Sequence, residues 1–175
     1  ILPYRFAFIG GCPIGSELAQ CFARFGSKFT IIDIAPSILP REDEDLRAFV
    51  IESFKEEGIA FQMNCKVKKV VHGTPHVITF EKNGKEESIE CDEMLVAVGR
   101  KPNVSGLNLE EVGIQCSPKG ILINDYCQTS LPHIYACGDV AGPFQFTHFA
   151  DYQARLILRN ALFPGKIKAD YRVVP

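Results

Sequence analysis

No two cysteines in this 175-residue sequence have C-x-x-C spacing, and their total, seven, is odd. This excludes the disulfide framework of a small secreted domain and a zinc site built on such pairs. Cys12, Cys21, Cys65, Cys91, Cys116, Cys127 and Cys137 are therefore expected to be mostly reduced, packed thiols. A redox dithiol, if the protein uses one, lies outside these residues, and no metal is expected. A basic field is also missing. The net charge is −2 with acidic and basic residues interspersed, which speaks against nucleic acid and against an anionic membrane surface as partners. Long apolar runs are absent too: stretches such as 94–98 have strand length, far short of the roughly 20 residues that span a bilayer. No secretory leader pattern opens the chain. A soluble, cytoplasmic protein is expected.

What the sequence does contain is a strand, a glycine-bearing turn and an Ala/Leu-rich helix in immediate succession. The turn reads Gly10-Gly11-Cys12-Pro13-Ile14-Gly15 after the apolar strand 5–9. In a dinucleotide-binding turn the first glycine permits the sharp bend, the second lets backbone amides approach a diphosphate, and the third lets helix pack close on strand. Gly10 and Gly15 fill the first and third places, while Cys12 stands in the second. A Cβ and thiol there make the turn a conditional signal for a nucleotide. Pro13 removes one amide from the helix start, where proline is tolerated.

The first half alternates strand and helix. Strand 5–9, helix 14–25 with Ile14, Leu18, Cys21, Phe22 and Phe25 on one face, and strand 29–32 make a βαβ unit with parallel strands. An amphipathic helix over 43–57, with Leu46, Phe49, Val50, Ile51 and Phe54 inward, ends at Gly58 and leads to a third parallel strand at 59–62. Between 66 and 90 the period falls to two, and Asn83-Gly84 marks a hairpin. Residues 94–98, apolar on both faces, are expected at the centre of a sheet. The expected class is α/β, a Rossmann-like parallel sheet with a β-meander in the crossover. Gly99-Arg100-Lys101-Pro102-Asn103 breaks the pattern, so a boundary is drawn after 103. Short strands at 120–123 and 133–137 and a helix over 147–162 follow.

Four further features could carry chemistry. Asp33, at the end of the second strand and 18 residues after Gly15, stands where a carboxylate can take adenosine ribose hydroxyls and repel a 2′-phosphate, favouring NAD(H) over NADP(H). The plainer reading is a solvated strand-end aspartate, and Arg41 in the next loop keeps NADP(H) open. Glu17, read in the first helical turn, either answers the helix dipole or projects toward a reacting ring. Gly138-Asp139 follows a short strand and is either an ordinary turn or an exposed carboxylate at a strand end. His148 opens the last helix, where a histidine more often caps or faces solvent than acts as a base.

Taken in order, Gly10 to Glu17, Asp33, Leu39-Pro40-Arg41-Glu42-Asp43, Val98 to Asn103, Thr129 to Pro132 and Tyr135 to Val140 resemble the flavin-dependent pyridine nucleotide–disulfide oxidoreductases. That group includes dihydrolipoamide dehydrogenase, glutathione reductase and mercuric reductase, and stretches 13–20 and 146–155 are most similar to the mercuric-reductase-like branch. The resemblance implies a piece of a longer, homodimeric enzyme: residues 1–103 an NAD-binding domain, 104–165 an incomplete segment of a FAD-binding domain, and 166–175 the start of a dimerisation domain. It implies that Gly10, Gly11, Cys12, Pro13, Ile14, Gly15 and Asp33 hold NAD, with Val67 and Gly99 at its two ends. Glu17 falls near the nicotinamide–flavin contact. Gly138 and Asp139 hold the FAD ribityl chain, and Gln145, Phe146, Thr147 and His148 line the flavin ring. The redox-active cysteines and catalytic histidine of such enzymes fall outside this sequence. The implied activity passes hydride between a nicotinamide cofactor and FAD and on to a disulfide or metal-ion acceptor. Two other readings stand beside it. One is a nucleotide-binding or interaction module that has lost turnover; the other, a free-standing Rossmann dehydrogenase, leaves the meander and the Gly-Asp segment without a place.

Overall fold

The computed structural model describes residues 2–142 and 144–172. The chain separates into two compact units, Ile1–Gly99 and Arg100–Pro175.

In the first unit, strands β1 (Arg5–Ile9), β2 (Lys28–Ile32), β3 (Ala60–Gln62) and β7 (Glu93–Val96) form a parallel sheet in the order β3-β2-β1-β7. Helix α1 (Pro13–Arg24) links β1 to β2, and α2 (Glu44–Glu56) links β2 to β3. The crossover from β3 to β7 is an antiparallel meander of β4 (Cys65–Val71), β5 (His76–Lys82) and β6 (Lys85–Cys91). Asn83 and Gly84 both have positive φ, 51° and 74°, which is the backbone a two-residue hairpin turn requires.

Successive residues of a strand point to opposite faces, and β1 sends its large side chains one way and its smaller ones the other. Phe6 and Phe8 join Phe29, Ile31, Ala19 and Phe54 on the helix face. Ala7 and Ile9 meet Ile32, Cys65, Ile78, Phe80 and Cys91 on the meander face. The sheet is thus covered on both sides, as a parallel sheet must be. Arg5 ties the end of the meander to the start of β1 by hydrogen bonds to Asp92 and Glu90, and that guanidinium holds the Asp92 carboxyl below the usual carboxylate range.

The fold departs in several places from what the sequence pattern predicts. Residues 94–98 do not lie at a sheet centre: β7 pairs only with β1 among the described residues, and Val96 and Val98 are 60% and 71% exposed. Apolarity on both faces of this run therefore fixes neither a central place in the sheet nor burial in this chain. The inward face of α1 is Gly15, Ser16 and Ala19, flanked by Leu18 and Phe22, whereas Ile14, Cys21 and Phe25 are exposed. Small residues face the strand because the helix lies too close to it for larger ones. On α2, Phe54 is buried and Val50 and Ile51 pack beside it, but Leu46 and Phe49 are exposed, because only the C-terminal half of the helix covers the sheet.

The second unit holds a two-stranded ribbon of β8 (Cys116–Ser117) and β9 (Gly120–Ile121), a 3₁₀ turn Gly138–Val140 and helix α3 (Thr147–Leu162). Ile114, Ile121, Ala136 and Ala141 form one buried cluster in it, and Cys127, Phe149 and Leu156 are buried as well. The expected strand at 133–137 reduces to one bridge, Gln128 to Tyr135.

Candidate functional site

The turn after β1 is held by contacts that leave no room for a side chain at its two motif glycines. Gly10, at φ 114°, continues the ladder by donating to the Ile32 carbonyl at 2.8 Å, and a Cβ on it would overlap the Ala97 carbonyl. A Cβ on Gly15 would overlap the Gly10 carbonyl, so the first turn of α1 rests directly on the bend. Cys12 caps α1 with extended backbone, its carbonyl accepting from Ser16 N–H at 2.9 Å. Pro13 follows at the first helical position, and the amides of Ile14 and Gly15 stand in the first turn, where no intrahelical acceptor exists. Such a helix start attracts anions. The half-buried thiol of Cys12 is turned back to the Ala97 carbonyl, with Sγ 3.3 Å from the oxygen.

Asp33 meets this turn directly. Its Oδ2 accepts from Gly11 N–H at 2.5 Å and its Oδ1 from Ala35 N–H at 2.8 Å, so β2 delivers a carboxylate to the glycine bend. Each carboxylate oxygen keeps a further lone pair. The meander begins at the same place, since Cys65 N–H donates to the Asp33 carbonyl at 2.8 Å. Val67 lies two residues on in β4, half-buried beside the meander core. Gly99, at φ 121°, closes the unit with open space around its α-carbon. Glu17 is exposed in the second turn of α1, not the first as expected, because the helix starts at Pro13 and its first turn carries no acid.

The second unit carries the other candidates. Gly138, at φ 73°, bends the chain into the 3₁₀ turn and donates to Oε1 of the fully buried Gln153 at 2.7 Å. Gln153 in turn donates to the Tyr171 hydroxyl at 3.3 Å. Burial pushes the Tyr171 hydroxyl and the Cys127 thiol up from their ordinary values. The Asp139 carboxylate is half-exposed, 3.4 Å from Nη1 of Arg100, and the same nitrogen donates to the Gln145 carbonyl at 2.9 Å. Phe146, Thr147 and His148 are exposed at the start of α3, with the Phe146 and His148 rings stacked 5.4 Å apart.

Residues 1–154 match the sequence profile of the family described as pyridine nucleotide-disulphide oxidoreductase. The chain belongs to that family. FAD and a pyridine nucleotide are the cofactors expected for pyridine nucleotide-disulphide oxidoreductases. Among curated relatives, a dihydrolipoyl dehydrogenase of Bacillus subtilis is 38% identical over 160 residues, covering 91% of this chain and 35% of the relative. A mercuric reductase of Staphylococcus aureus is 39% identical over 176 residues, covering 99% and 32%. The chain therefore spans about a third of the length of such relatives. Among solved structures, LpdA of Mycobacterium tuberculosis superposes with a TM-score of 0.89 at 29% identity, covering 99% of this chain and 38% of that one. An HOCl-induced flavoprotein disulfide reductase of Escherichia coli gives 0.86 at 31%, covering 95% and 37%.

Two residues now join the candidates of this oxidoreductase segment that residue patterns did not single out. Arg100 ties Asp139 to Gln145, a pairing across 39 and 45 positions that no local pattern encodes. Gln153 had a visible signal: it is a polar residue on the inward face of α3, in line with the buried Phe149, Leu156 and Asn160. An amide there needs a partner, and the partner is the Gly138 turn.

Proposed function

We propose that this chain is the nucleotide-binding portion of a longer FAD-dependent oxidoreductase that passes hydride between a nicotinamide cofactor and FAD, and on to a disulfide or metal-ion acceptor. One observation carries the reading: the Asp33 carboxylate sits on the Gly11 amide at the mouth of a helix whose first amides have no intrahelical acceptor and no side-chain cap among the described residues. Bound here, the nucleotide would supply hydride chemistry toward the flavin. The amides of Cys12, Ile14 and Gly15 would hold the diphosphate, with Asp33 on the adenosine ribose, Val67 at the adenosine end and Gly99 at the nicotinamide end. A carboxylate in that place disfavours a 2′-phosphate, so NAD(H) is preferred over NADP(H). Exposed Glu17 would serve the nicotinamide–flavin contact. In the second unit Asp139 would accept from the FAD ribityl chain, supported by Gly138, and Gln145 to His148 would line the flavin ring.

The domain assignment goes with this reading: residues 1–103 bind NAD, 104–165 belong to a FAD-binding domain and 166–175 open a dimerisation domain of a cytoplasmic homodimer. The contacts of Cys12 bear on the rival reading, a nucleotide or interaction module without turnover. With the thiol hydrogen-bonded to Ala97, the position does not by itself obstruct the helix start.

Titrating the chain with NADH while following nucleotide fluorescence tests the proposal. A saturable change at or below millimolar ligand is expected, and none at millimolar NADH overturns it. Cys12→Gly tests the thiol alone: NADH affinity changes by less than about threefold if the thiol is out of the way, and rises tenfold or more if it blocks the site.

A further inference from the structure

Gly11 is not one of the motif glycines, yet it is the residue on which the turn is most heavily held. Its backbone is not left-handed, so conformation does not demand glycine there. Space does. A Cβ on Gly11 would lie 2.9 Å from Cγ2 and 3.1 Å from Cα of Ile38, and 3.3 Å from Oδ2 of Asp33. Ile38 is completely buried in the cluster of Phe8, Phe29, Ile31 and Phe54, so it cannot swing aside. The next residue, Leu39, donates its N–H to the Gly11 carbonyl at 2.7 Å. It does so from φ 50°, a left-handed backbone that leucine seldom adopts. Gly11 is therefore gripped at three points by one segment: Asp33 takes its N–H, Leu39 binds its C=O, and Ile38 covers its α-carbon.

We infer that Ile38 and Leu39 are positioning residues for the nucleotide, latching the loop after β2 onto Gly11 so that the glycine bend and the Asp33 carboxylate keep a fixed spacing. The inference rests on the proposed nucleotide site. Ribose and diphosphate lie at a set distance along one ligand, so the carboxylate that would take the one and the amides that would take the other must be held in register. Without the latch, Asp33 and the helix start would move independently, and ordering them would fall to the ligand. The contact also explains why the position next to Cys12 cannot carry a side chain although Cys12 itself can. The Cys12 thiol has a carbonyl to turn to, whereas a substituent on Gly11 has only a packed isoleucine.

The test is a double-mutant cycle read by NADH affinity, well below the unfolding temperature. Gly11→Ala is expected to weaken NADH about tenfold. Ile38→Ala, which opens the space, weakens it by less. The double variant is expected to bind at least about threefold better than the product of the two single effects. Ile38→Val keeps the Cγ2 methyl and retains more NADH affinity than Ile38→Ala, although both lower Tm; a purely structural role would move Tm alone. In the unliganded chain the Leu39 amide is expected to be protected from hydrogen exchange, and Gly11→Ala to expose it. Additive effects on NADH affinity, or a freely exchanging Leu39 amide, overturn this inference while leaving the nucleotide reading in place. Absence of NADH binding by the unaltered chain overturns both.

Discussion

Two glycine turns of this chain, at Gly11 ahead of α1 and at Gly138 opening the 3₁₀ turn, have their amides taken by opposite chemistry. At Gly11 the turn amide is taken by a carboxylate, Asp33, and the helix behind it starts with free amides. At Gly138 the turn amide is taken by a buried neutral amide, Gln153, and a carboxylate, Asp139, is left half-exposed. The first turn offers donors with an acid at their side; the second offers an acceptor braced by Arg100. A negatively charged diphosphate suits the first, and a chain of hydroxyls suits the second. The packing differs as well. Gly10 and Gly15 touch backbone carbonyls that cannot move, whereas a Cβ on Gly138 would meet chiefly the methyl of Ala150, at 3.1 Å.

The largest expected effect separates these two kinds of glycine. Gly15→Ala should lose about 3 kcal/mol or more of stability, because helix and bend must part. Gly138→Ala should lose about 1–2 kcal/mol, chiefly through its left-handed backbone. Urea unfolding of both variants checks the ranking, and equal losses would break the contrast. Next, Gln153→Leu removes the partner of the Gly138 amide and should cost about 1–3 kcal/mol by the same measurement. Asp33→Asn keeps a hydrogen-bond acceptor at the first turn but removes its charge. It should weaken NADH by about tenfold and weaken NADPH less, so the ratio of the two affinities, read by titration, reports the role of the charge. The smallest effects concern thiols. Cys21 and Cys116 are exposed and should alkylate first in the native protein, while Cys65, Cys91 and Cys127, buried and with pKa values pushed up by burial, should label only on unfolding. Mass spectrometry of timed samples distinguishes them. Since these folded thiols hold their protons above the ordinary value, their contribution to stability is complete below about pH 8.5 and declines as pH rises through the raised values.

Periodicity made the parallel strands, the Asn83-Gly84 hairpin and the helix at 147–162 legible, because each is written in neighbouring residues. The glycine bend and Asp33 were legible for the same reason, being fixed in spacing along one βαβ unit. The edge position of 93–96 was not, since apolarity on both faces says nothing of strand order and did not translate into burial here. Nor was the exposure of Leu46 and Phe49, which depends on how far α2 overhangs the sheet. Gly11 was read as a ligand contact, and its grip by Ile38 and Leu39 comes from a loop 27 and 28 positions away. Arg100 and Gln153 likewise act through partners that only the folded chain brings near.

Near the end of α3, Asn160 donates to the Ile167 carbonyl at 2.8 Å and accepts from its N–H at 2.9 Å, so one side chain imitates a strand neighbour for the segment that follows. Asp170 N–H then donates to the Tyr152 hydroxyl, and Tyr171 reaches Gln153. A boundary chosen for expression at the visible end of α3 would cut this return strap. The Gly138 turn would then depend on an amide whose other end had lost its hydroxyl partner, so a shorter protein should keep residues through 172 to preserve the turn it is made to study.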